Sequence, residues 1–141
     1  MTRYLLILFM LLTLTLIPTE AKAASEWRWD ECRMNAGSST WTSREVRQTI
    51  RCAVTKWSVP GGLTTAISIA LCESGVDLQD WYIGDGYAGT MQQSVIYWRD
   101  RRQHYRPPGW KLQRSPAQPR ANVIVSIRMA HGSGWSAWSC A

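Results

Sequence analysis

The sequence lacks several features that would define other classes of protein. Its main apolar run, Tyr4 to Ile17, is 14 residues long, short of the roughly 20 that a membrane-spanning helix needs. Histidine is scarce, with only His104 and His131, and the four cysteines include no Cys-x-x-Cys pair, which disfavours a zinc site. There are no internal repeats and no low-complexity tracts, and 141 residues make one domain rather than two. Acidic residues are the minority charge, 10 against 16 basic ones, so the chain carries a formal +6. Arg99, Arg101, Arg102, Arg106, Lys111, Arg114, Arg120 and Arg128 crowd the C-terminal half. That balance implies a polyanionic partner. What is abundant is apolar and aromatic material, 45% hydrophobic residues with nine Trp, enough for a packed core and too much for a disordered chain.

The first residues have the layout of a secretory signal. Arg3 precedes the apolar run, Pro18 breaks it, and Ala21-Lys22-Ala23 supplies small residues where a signal peptidase cuts. Residues 1–23 are therefore expected to be a signal peptide and residues 24–141 a single exported domain, secreted or held in the cell envelope, with no stable membrane insertion after cleavage. Export makes nucleic acid a poor candidate partner and the anionic polymers of an envelope good ones. Cys32, Cys52, Cys72 and Cys140 all lie beyond the signal, and an even count in an exported chain points to two disulfides. Three pairings are open. A monomer is the default.

Residues 24–41 show no sustained period and read as an irregular N-terminal segment tied down by Cys32. Thr42 followed by Glu45 is a capping box, and Val46, Ile50, Ala53, Val54 and Trp57 recur at helical spacing, which predicts a helix from about Ser43 to Trp57. Pro60-Gly61-Gly62 stops it. A second, apolar helix starts near Leu63, carries Ile67, Ala70 and Leu71, and ends between Glu73 and Gly75, with Gly75 as a left-handed cap. Gly84, Gly86 and Gly89 then signal tight turns or a short hairpin. Ser94 can cap a third helix running to about Tyr105, where Pro107-Pro108-Gly109 breaks it. Trp110 to Pro119 reads as an exposed basic connection, and Val123, Ile124, Ile127 and Ala130 predict a last helix halted by Gly132 and Gly134. The fold class is mainly α, or α+β, with a turn-rich insert beside a cleft.

The chemistry centres on Leu71-Cys72-Glu73-Ser74-Gly75. A partly desolvated carboxyl at the end of an apolar helix is of the kind that general-acid catalysis employs. The run Ala70-Leu71-Cys72-Glu73-Ser74-Gly75, then Gly84-Asp85-Gly86-Tyr87-Ala88-Gly89-Thr90-Met91-Gln92-Gln93, then Trp98, resembles the lysozyme-like domain of soluble lytic transglycosylases, and is similar to resuscitation-promoting factors. The resemblance spans roughly Leu63 to Cys140, and Asn122-Val123 stands where those families have an Asn-Ile-type helix. The chain departs from their pattern at Thr90, usually apolar there, and at Val76-Asp77-Leu78. It has only Met129-Ala130-His131-Gly132 in place of an Ala-Tyr-Asn-Ala-Gly motif whose Tyr contacts the catalytic Glu.

The resemblance implies a lysozyme-like fold and cleavage of peptidoglycan between N-acetylmuramic acid and N-acetylglucosamine, without metal or cofactor. Glu73 would act first as acid and then as base, leaving a 1,6-anhydro end. Gln92 would hold the sugar near the acid with Tyr87 and Met91 beside it, and Ser74, Trp81 and Asp85 would join the substrate-binding set. Trp81, Tyr82 and Trp98 offer flat faces on which pyranose rings stack. A link between the cysteine before the catalytic Glu and one after a Trp-rich C-terminus is also implied, which assigns Cys72 to Cys140 and leaves Cys32 for Cys52. Two other functions fit the same residues. One is a lysozyme-type hydrolase with a second carboxylate, best supplied by Asp85 among Asp77, Asp80 and Asp85. The other is a non-catalytic cationic module that binds the wall.

Overall fold

The computed structural model describes residues 27–34, 41–75, 77–78 and 83–141. The expected signal segment, residues 1–23, lies outside them, as do Asp80, Trp81 and Tyr82. Among the described residues the helices are α1 (Ser43–Lys56), α2 (Gly62–Ser74), α3 (Val95–Tyr105) and α4 (Pro119–Ser133). Two small antiparallel sheets join them, one pairing β1 (Trp27–Arg28) with β2 (Arg33–Met34), the other ordered β3 (Ile83–Gly84), β4 (Tyr87–Ala88), β5 (Gln93–Ser94). The protein is mainly helical with a minor strand component, as its patterning indicates.

Helix α1 starts where its capping box directs it. The Thr42 N–H donates to Glu45 Oε2 at 2.6 Å and the Glu45 N–H donates back to Thr42 Oγ1 at 3.3 Å. Val46, Thr49, Ile50 and Ala53 then form one buried face, the i, i+3, i+4, i+7 set of an amphipathic helix. Helix α4 is different, because it is buried nearly all round: Val123, Ile124, Val125 and Ile127 are each at 0% relative exposure. It packs against α1 and α3 and forms the centre of the core.

A central helix must satisfy its own polar side chains. Ser126 Oγ accepts from Gln93 Nε2 at 2.8 Å, and Gln93 Oε1 accepts from Arg101 Nη1 at 2.8 Å, so a relay runs from the core out to α3. Arg120, only 3% exposed, donates from Nε and Nη2 to the Glu31 carbonyl at 3.1 and 2.9 Å, and from Nη1 to the Lys111 carbonyl at 2.8 Å. Its guanidinium also lies 5.3 Å from the centre of the Trp110 ring. Burial lowers the pKa of this group from the usual arginine value, a shift that Glu31 opposes and Arg33 reinforces. The structure retains the charge in the core because it fastens two segments without long elements of their own to α4.

Several expectations are corrected. The N-terminal segment is not wholly irregular: Trp27 pairs with Met34 and Arg28 with Arg33 across a turn in which Cys32 takes φ +49°, and Cys32 is bonded to Cys52 of α1. The stretch from Trp110 to Pro119 exposes Lys111, Gln113, Arg114 and Gln118 as expected, but its backbone is engaged, since the carbonyls of Lys111, Leu112, Arg114 and Pro116 accept from Arg120, Arg102, Trp98 and Asn122. Side chains supply the partners that a loop backbone would otherwise take from water. Gly75 has φ +79° with ψ −179°, outside the left-handed helical region, and Ser94 makes no side-chain capping bond to α3. Gly132 falls inside α4, with Gly134 as its C-cap.

Replacing Arg120 by Leu is expected to destabilise the fold by about 2–4 kcal/mol, because the Glu31 and Lys111 carbonyls lose charged donors. Arg120→Lys should recover less than half of that loss, lacking the planar fork. Urea titration of the oxidised protein followed by tryptophan fluorescence measures both.

Candidate active site

Helix α2 delivers Glu73 to the surface of the core. Ala66, Ile69 and Ala70 are buried along one side, and the Ser74 hydroxyl donates back to the Ala70 carbonyl at 2.7 Å. Ser74 is thereby committed to the helix end, and Glu73 beside it remains half-buried. Its Oε1 accepts from the Ser139 hydroxyl and from the Cys140 N–H, both at 3.3 Å, while Oε2 has no partner among the described residues. The Cys72–Cys140 disulfide, with Cα atoms 6.0 Å apart, holds the C-terminal segment against the end of α2. Both disulfides follow the pairing that the resemblance implies, and they accord with an oxidising, extracytoplasmic environment.

The insert after α2 builds the other wall. Gly84 pairs with Tyr87 across a two-residue turn in which Asp85 takes φ +50° and Gly86 φ +83°, the backbone a tight hairpin between right-twisted strands requires. Asp85 is exposed in that turn. The next connection, Gly89 to Gln92, closes with the Gln92 N–H donating to the Gly89 carbonyl at 2.9 Å. Asn122, fully buried on α4, grips it from below: Oδ1 accepts from the Met91 N–H at 2.8 Å, and Nδ2 donates to the carbonyls of Ala88 at 2.9 Å and Pro116 at 2.8 Å. Trp138 grips it from the C-terminal segment, its Nε1 donating to the Met91 carbonyl at 2.9 Å. Held in this way, Gln92 sits at φ +41°, and its own Nε2 donates to the Gly89 carbonyl at 3.0 Å. A non-glycine residue in that region is strained and persists only where its surroundings fix it.

These pieces meet around a cavity of about 390 Å³, lined among the described residues by Glu73, Tyr87, Gln92, Ala137, Trp138 and Ser139. Glu73, Gln92 and Tyr87 are thus brought together. Other expected site residues lie elsewhere. Met91 and Trp98 are core side chains, at 0% and 4% exposure, and Trp98 spends its Nε1 on the Arg114 carbonyl. Asp85 is not among the lining residues, and Trp81 lies outside the described ones. Among the described lining residues Glu73 is the one carboxylate. The sequence reading missed Ala137, Trp138 and Ser139 as lining. The signal available for them was Cys140, which once bonded to Cys72 must bring its neighbours to Glu73.

A carboxyl anchored through one oxygen lines the cavity, with an amide and two aromatic side chains beside it. Such a group can give and take a proton at a bound molecule. No protein-family model, curated protein or solved structure matches the chain.

The turn under Gln92 can be tested directly. A Cβ on Gly89, at φ +77°, would stand 2.4 Å from the Pro116 carbonyl oxygen and 2.5 Å from Asn122 Nδ2, so Gly89→Ala is expected to cost more than ~2 kcal/mol. The Thr90 hydroxyl is buried without a hydrogen-bond partner among the described residues, so Thr90→Val, equal in shape, should raise stability by about 1 kcal/mol. Thermal unfolding of the two variants should move in opposite directions.

Proposed function

We propose that the chain is an exported peptidoglycan-cleaving enzyme of the lysozyme-like, lytic transglycosylase kind, with Glu73 as its catalytic carboxyl. The observation that carries this reading is the Glu73 cavity, in which the acid meets Gln92, Tyr87 and Trp138. The same Glu and Gln are the residues that the resemblance marks for acid and sugar-holding roles. A net charge of +6 and two disulfides suit work on an anionic wall outside the cytoplasm.

The chemistry follows from the carboxyl's two unlike oxygens. With donors from Ser139 and Cys140 on Oε1, Oε2 is the oxygen through which a proton is exchanged with the substrate. That proton passes to the glycosidic oxygen between N-acetylmuramic acid and N-acetylglucosamine as the bond to the anomeric carbon breaks. Glu73, now a carboxylate, takes the proton of the muramic C6 hydroxyl, whose oxygen bonds to the anomeric carbon and closes the 1,6-anhydro ring. The acid is regenerated and no water is consumed. Assistance from the substrate's N-acetyl group lets one carboxyl serve where ordinary glycosidases use two. Gln92 fixes the sugar by its amide, and Tyr87, half exposed, offers a flat face to a pyranose ring. A hydrolase employing Asp85 is not favoured, because that residue is exposed in the β3–β4 turn and absent from the cavity lining.

Mass spectrometry of fragments released from purified peptidoglycan by the oxidised protein tests this. Anhydro-muropeptides are expected from the native sequence and from Asp85→Asn, and at least ~100-fold fewer from Glu73→Gln. Reducing ends in their place would make the enzyme a hydrolase. Wall binding without any fragments would leave a non-catalytic module.

A further inference from the structure

A second and larger cavity, of about 570 Å³, lies away from Glu73 and is lined by Trp29, Arg44, Arg47, Gln48, Arg51 and Ile67. It contains no carboxylate among these residues. Arg44, Arg47 and Arg51 are exposed, and none forms an ion pair or side-chain hydrogen bond with any described residue. They occupy positions i, i+3 and i+7 of α1 and so share one face of the helix.

Helix stability argues against this arrangement. Arg44 lies in the first turn of α1, where the helix dipole disfavours a cation. Arg47 follows three positions later and Arg51 four after that, spacings at which like charges repel. The helix has its acid, Glu45, engaged in the capping box on Thr42. A row of cations that no described residue neutralises, set in a cavity with an indole that is 49% exposed, is suited to an anion from outside.

Arginine forks match phosphate oxygens two by two. The three Cα positions span ~10 Å along the helix axis, so the row suits a chain of regularly spaced single charges rather than one isolated ion. A polymer whose phosphodiesters are separated by short polyol units has that spacing and little else to recognise. A single-stranded nucleic acid would call for successive stacking platforms, and Trp29 is the one aromatic side chain among the described lining residues. The two disulfides point to a compartment where nucleic acid is not the prevalent polyanion.

We propose that the α1 cavity is a binding site for the phosphodiester backbone of a polyol-phosphate polymer, gripped by Arg44, Arg47 and Arg51 with Trp29 and Ile67 against its carbon units. The site is independent of what Glu73 does, and its occupant tethers the protein while the Glu73 cavity remains open.

The test is fluorescence anisotropy of a dye-labelled synthetic poly(glycerol phosphate) oligomer titrated with the oxidised protein at several salt concentrations. Binding should weaken with salt at a log–log slope of about −2, as expected for three phosphate contacts on a single chain. The triple variant Arg44→Gln, Arg47→Gln, Arg51→Gln should bind at least ~30-fold more weakly. The triple Lys variant, which keeps charge and helix propensity but loses the forks, should fall between the two. Removing Arg99, Arg106 and Arg114 in the same way deletes equal charge from exposed positions elsewhere and should change affinity by less than about threefold. Equal losses from the two Gln triples would overturn the proposal in favour of diffuse attraction. So would tighter, Arg44-dependent capture of an oligothymidylate of equal charge, or of phosphatidylglycerol vesicles, which would assign the cavity to nucleic acid or to a membrane.

Discussion

Much of this structure depends on how one buried amide is satisfied. Asn122 lies fully buried on α4, where each unpaired polar atom would carry a desolvation cost of about 1–3 kcal/mol. Its oxygen and both of its N–H groups are used, and all three bonds go to backbone of irregular segments, at Met91, Ala88 and Pro116. The need to satisfy Asn122 therefore fixes the course of two loops at once. Gln92 owes its strained backbone, and so its place beside Glu73, to that grip and to the indole of Trp138.

The same logic recurs with Arg120, which treats the backbone at Glu31 and Lys111 as Asn122 treats the insert. Helix α4 is thus more than a hydrophobic filler. Its apolar positions build the core, and its two polar anchors near the N-terminal end organise segments too short or too irregular to fold by themselves. Two-residue strands have little independent stability. Here they are held by bonds that cross the sequence, and by disulfides that close loops of 20 and 68 residues, worth about 3 and 4 kcal/mol in the chain-entropy account.

This division explains what could be read from the sequence. Helix α1 was legible because the Thr42–Glu45 box and the Val46–Ile50–Ala53 spacing are local signals that agree with each other. Glu73, Tyr87 and Gln92 were grouped by the resemblance rather than by any local signal, and their meeting in space rests on contacts with no local signature. Met91 and Trp98 were misplaced because an apolar residue in a turn-rich or amphipathic stretch reads the same whether it faces a cleft or the core. The 110–119 connection was read in part: its basic side chains do face solvent, but nothing local signalled that its carbonyls are taken by Trp98, Arg102, Arg120 and Asn122. Strands of two residues fall below the reach of any periodicity.

The Cys72–Cys140 bond also divides the molecule topologically. It turns the stretch from the end of α2 to the C-terminal segment into a covalent ring that contains Glu73, the hairpin, α3, α4 and Trp138. The arginine row on α1 lies outside it. A single backbone nick within the ring leaves its two pieces joined, so the elements of the Glu73 cavity stay in one molecule after a cut that would separate them in an unbridged chain. Where peptidases are present, the Glu73 cavity is the part whose integrity does not rest on an unbroken backbone.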